Sequence, residues 1–71
     1  MKRTELIKEI REAAKAKGIE FEMVRSGAKH DVWRLGLTVT IPIERHREIG
    51  PKMAFEMRKA CEPELGPRWW R

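Results

Sequence analysis

His30 has the most chemistry to offer in this chain. It follows the turn-forming run Gly27-Ala28-Lys29 and precedes Asp31, which places it at the mouth of a strand between a cation and a carboxylate. An imidazole free in water ionises at about pH 6.5, so it can both take and give a proton near neutrality. That suits cleavage of RNA by its own ribose. A base removes the 2′-hydroxyl proton and the oxygen attacks the adjacent phosphate. An acid protonates the leaving 5′-oxygen, and cations stabilise the charge on the phosphoryl oxygens. The RNA supplies the nucleophile, so the reaction calls for no metal or cofactor. Position alone also fits an ordinary surface histidine at a strand start.

His46 lies between Arg45 and Arg47. It suits a phosphate contact or a second proton-transfer group, and equally a solvated loop. Lys29, Arg25, Arg34, Arg45 and Arg47 come from turns or a connector and could form a basic RNA-binding rim around His30. Such contacts make affinity fall with salt, with a slope of about −0.7 per contact for single strands. Zinc held by His30, His46 and Cys61 would require three separate segments to converge, so no metal site is expected. Cys61 falls on an apolar helical stripe and reads as buried and inert. Trp69 and Trp70, inside Arg68-Trp69-Trp70-Arg71, offer rings for base stacking or for packing on the body.

The elements that must position these residues follow from periodicity. Leu6, Ile7, Ile10, Ala13 and Ala14 recur at helical spacing, with Thr4 as the expected N-cap and Gly18 as the stop. Ile19, Phe21 and Met23 then alternate with Glu20, Glu22 and Val24 as a half-buried strand. A turn over 25–29 leads to strands at 30–33 and 37–41, joined by a loop of Arg34, Leu35 and Gly36. In that register Trp33 faces Leu37 and His30 faces Thr40. Trp33, Leu37, Val39 and Ile41 would pack under the helices, leaving His30, Val32, Thr38 and Thr40 on the opposite side. Pro42 is expected to end the strand, and 43–50 to be a polar connector. Pro51 opens a second helix with Met53, Ala54, Met57, Ala60 and Cys61 on its apolar stripe, ending before Pro63. The class is α+β: an α-β-β-β-α two-layer sandwich with a three-stranded antiparallel sheet and both helices on one face.

Composition bounds the rest. Seventy-one residues make one small domain, and its single cysteine excludes an intrachain disulfide. No apolar run is long enough for a membrane span or a signal core, so the expectation is a soluble cytoplasmic protein. Sixteen Lys and Arg against eleven Asp and Glu leave a net charge of +5. Most of the excess falls in residues 25–71, which favours an anionic partner such as RNA.

The segment Gly27-Ala28-Lys29-His30, followed by a strand and by Val39-Thr40-Ile41-Pro42, resembles the HicA toxins, small bacterial mRNA interferases of type II toxin–antitoxin pairs. The opening Met1-Lys2-Arg3-Thr4-Glu5-Leu6-Ile7 is similar to the family's first helix. Arg45-His46 and Ile49-Gly50-Pro51 match its Arg-His pair and the start of its last helix. The resemblance spans residues 1–62 and leaves 63–71 as a basic, tryptophan-containing tail. It implies a fold like the double-stranded-RNA-binding domain and an endoribonuclease that cleaves mRNA, blocks translation and depends on His30. It also implies a HicB-type antitoxin as protein partner. The residues alone admit two other functions: a non-catalytic RNA-binding module with the same outline, and an interaction module that docks an acidic protein.

Overall fold

A computed structural model describes all 71 residues. The elements are α1 (Arg3–Ala16), β1 (Phe21–Ser26), β2 (His30–Leu35), β3 (Val39–Glu44), α2 (Pro51–Ala60) and a short α3 (Glu62–Leu65). The strands form one antiparallel sheet in the order β1-β2-β3. The α+β sandwich and element order read from the sequence are the observed ones, with α3 added after α2.

α1 is capped two residues earlier than expected, at Lys2 rather than Thr4. Lys2 is extended because it bridges Glu48 of the connector, and the helix starts directly after it. Its N–H donates to Glu5 Oε1 at 3.3 Å, so the first-turn acid occupies the donor that precedes the helix. At the other end Gly18 adopts φ +67°, and the N–H groups of Gly18 and Ile19 donate to the carbonyls of Lys15 and Ala14. This is a Schellman cap, which needs the left-handed residue that glycine supplies.

Side-chain alternation on the strands builds the core. Trp33, Leu35, Val39, Ile41 and Ile43 are buried together with Leu6, Ile7, Ile10, Ala14, Ala54, Met57, Cys61 and Leu65. Burying a side chain of the Leu or Ile kind contributes about 1.5–3 kcal/mol, and Leu6, Ile10, Leu35, Ile43 and Leu65 are all fully enclosed. Phe21 stacks on Trp33 with centroids 4.7 Å apart, and the Arg11 guanidinium stands 5.8 Å from the Trp33 ring.

The β2–β3 register differs from the expected one. His30 faces Glu44, Trp33 faces Ile41 and Leu35 faces Val39. The loop is therefore Gly36-Leu37-Thr38, with Leu37 almost wholly in solvent and Leu35 in the core. Two causes act together. Gly36 takes its positive φ at the start of the loop rather than its end, and Glu64 accepts hydrogen bonds from the N–H groups of Leu37 and Thr38 at 3.0 and 2.9 Å. Pro42 does not end β3, because β3 is an edge strand and tolerates a residue without an N–H. The displacement is an even number of residues, so His30, Val32 and Thr40 keep the open face and Trp33, Val39 and Ile41 keep the buried one.

Residues after Glu62 fold back on the body. Leu65 enters the core, and the Trp69 indole N–H donates to the Arg58 carbonyl at 2.7 Å. Trp70 stands edge-on to both Trp69 and Phe55. No helix is long and apolar enough to cross a membrane.

Candidate active site

The turn before His30 is tight. Gly27 N–H donates to the His30 carbonyl at 3.1 Å, and a Cβ on residue 27 would lie 2.6 Å from that oxygen. Any larger residue would push the turn open. Arg45 closes the turn from the other side. Its N–H donates to the Lys29 carbonyl at 3.1 Å, its Nη1 donates to the Gly27 carbonyl at 2.8 Å, and its Nε lies 3.5 Å from Asp31 Oδ1.

Alternation on β2 sends His30 and Asp31 to opposite sides of the sheet. Asp31 is the one charged residue in the buried set, 5 % exposed. Its carboxylate accepts from Arg3 Nη2 at 2.7 Å and from the Ser26 hydroxyl at 3.1 Å. A buried carboxylate without such partners would be strongly unfavourable, so these contacts fix the strand mouth on which His30 stands.

His30 is exposed, as is His46. The two reach the same depression, an open pocket lined by Ala28, Lys29, His30, Glu44, Arg45 and His46. Glu44, the cross-strand partner of His30, brings its Oε2 to 3.4 Å from His46 Nε2. The connector that carries His46 is held by the chain's first residues. Arg3 N–H donates to the Arg47 carbonyl at 2.9 Å, and Met1 and Ile49 exchange two hydrogen bonds of 3.0 and 2.7 Å. The pocket thus gathers two imidazoles, two cations and one carboxylate at the edge of a sheet. Such a set can move protons in both directions beside a bound anion.

Of the residues expected to serve the site, Lys29, His30, Arg45 and His46 converge. Arg25 sits opposite Val32 on β1, and Arg34 forms an ion pair with Glu22 farther along the sheet. Four residues of strand put Arg34 about 13 Å from His30. Arg47 is exposed beyond the pocket rim. The tail tryptophans lie against α2 and do not line the pocket. No three His, Cys, Asp or Glu side chains cluster as metal ligands. Cys61 is enclosed, and burial together with the nearby Glu9 pushes its thiol up to about 12.

Glu44, Asp31 and Arg3 escape the sequence reading. Asp31 shares parity with Trp33 and so falls on the buried face, which is a legible sign of a paired carboxylate. Glu44 carries no such sign, because residue 43 onward reads as connector until the register is known.

No family model matches the chain, and neither does any characterised protein or solved structure.

Proposed function

We propose that this chain is a metal-independent endoribonuclease of the HicA kind, acting on mRNA, with His30 as a proton-transfer residue. One observation carries the proposal: His30 stands in solvent, in an open pocket whose other members include Lys29 and Arg45. The ring is free to meet a ribose, and the two cations can face the adjacent phosphate. Arg45 also braces the turn, so its contribution to phosphate binding is made from a fixed position. The toxin role and a HicB-type antitoxin partner belong to the same proposal and rest on the sequence resemblance.

The test is cleavage of a single-stranded RNA by the purified chain, with and without chelator. His30→Ala is expected to lower the rate by about 10²- to 10⁴-fold while leaving the fold intact. An RNA that binds in a salt-sensitive way but is never cut would instead identify a binding module. A rate that depends on added metal would exclude the mechanism.

A further inference from the structure

We propose that His46 is the second catalytic residue of this pocket, the general acid that protonates the leaving 5′-oxygen, and that Glu44 is its positioning residue. This rests on the ribonuclease reading above and assigns the half of the reaction that His30 alone leaves open.

Three observations support it. The β2–β3 register sets Glu44 directly across from His30, and the 3.4 Å contact from Glu44 to His46 therefore brings the second imidazole to the same pocket. The contact is made through Nε2, which leaves Nδ1 as the ring nitrogen away from the carboxylate, and a carboxylate beside one ring nitrogen orients catalytic imidazoles elsewhere. Finally, the His46 side chain projects largely into solvent from the connector, free to meet the leaving oxygen of an RNA held beside His30.

The step balances without any further reactant. His30 takes the proton of the 2′-hydroxyl as that oxygen bonds to phosphorus. The bond from phosphorus to the 5′-oxygen breaks, and the departing oxygen takes the proton from His46. The products are a 2′,3′-cyclic phosphate and a free 5′-hydroxyl. His30 ends protonated and His46 neutral, and proton exchange with water restores both.

The experiment compares two RNAs of one sequence, one with an ordinary linkage and one with sulfur in place of the bridging 5′-oxygen at the cleaved position. A thiolate leaves without protonation, so loss of the acid matters only for the oxygen substrate. His46→Ala is expected to slow cleavage of ordinary RNA by about 10²-fold or more and to cleave the sulfur RNA at close to the wild-type rate. His30→Ala is expected to be slow on both. The His46 side chain is 79 % exposed, so its removal does not threaten the fold. Glu44→Gln, which relaxes an exposed contact, should lower the rate no more than about fivefold and alter its pH profile. Equal loss on both RNAs, or no loss on either, overturns the assignment of His46 while the ribonuclease reading stands. A wild-type chain that cuts neither RNA overturns both.

Discussion

The Arg3 guanidinium grips the Asp31 carboxylate, Nη2 to Oδ2 at 2.7 Å, and its Nε donates to the Glu44 carbonyl at 2.8 Å. One side chain from the start of α1 thus ties together the neighbouring ends of β2 and β3. Asp31 adjoins His30, and Glu44 touches His46. The geometry of the pocket is therefore set from beneath, by an ion pair on the other side of the sheet.

Removing that pair should cost the fold rather than the chemistry. Asp31→Asn leaves Arg3 without its counter-charge at a largely buried position, and breaking such a pair costs about 3 kcal/mol. A core of this size supplies a net of only about 3–5 kcal/mol, so much of the variant is expected to be unfolded at room temperature. His30→Ala, at an exposed position one residue away, should stay within about 0.5 kcal/mol of wild type. Urea unfolding followed by circular dichroism separates the two.

The cations should differ in their effect on RNA binding. With His30→Ala as a non-cutting background, Lys29→Ala is expected to flatten the dependence of log affinity on log salt by about 0.7. Arg34→Ala should leave the slope unchanged, because Arg34 is engaged by Glu22 and lies outside the pocket. Fluorescence anisotropy with a short single-stranded RNA, titrated at several salt concentrations, measures both.

Glu64 makes the β2–β3 loop sensitive to acid. Its carboxylate accepts from the Thr38 hydroxyl at 2.6 Å as well as from the two loop N–H groups. These bonds, the Thr38 hydroxyl first, hold its carboxyl below the ordinary value of 4.5. A carboxyl depressed on folding adds stability in full above its unfolded value and loses it as pH falls through the folded one. The melting temperatures of wild type and Glu64→Gln should differ at pH 7 and converge in strong acid. Gly36→Ala gives a second readout, since a Cβ there would stand 2.4 Å from the Glu64 carboxylate. Gly18 has nearly the same φ but open space around it, so Gly18→Ala should cost only the backbone strain, about 1–2 kcal/mol. Gly36→Ala should cost more than Gly18→Ala, and the excess should vanish in a Glu64→Ala background.

Cys61 should be silent toward thiol reagents while the chain is folded. With its thiol at about 12 rather than 9.0, the thiolate fraction at pH 8 is lower by on the order of 10³. Ellman's reagent should therefore react that much more slowly with the native chain than with the urea-unfolded one. The same difference makes stability decline as pH rises above 9.0, where the unfolded thiol ionises and the folded one does not.

Local signals carried the element order and the two faces of the sheet. The Schellman glycine at 18, Pro51 at the start of α2 and the alternation through Trp33, Val39 and Ile41 each depend on a few neighbouring residues. The loop register was not legible in the same way. Gly36 serves a three-residue loop at either its first or its last position, and the contacts that stabilise the observed loop come from Glu64, 27 residues beyond Leu37. The shift in register leaves His30 on the open face, because an even displacement preserves which side each residue faces. It does change the pocket. Only the true register puts Glu44 across from His30, and with it the neighbouring His46.

The attachment of Glu64 to the loop at Gly36-Leu37-Thr38 has a kinetic consequence. The loop can close locally within microseconds, whereas the carboxylate reaches it only after the second helix and the segment following it have docked. The grip is therefore expected to form late in folding, so that Glu64→Gln speeds unfolding more than it slows folding in stopped-flow measurements. Contacts formed that late govern how long the native chain survives between openings and leave the speed of its first collapse unchanged.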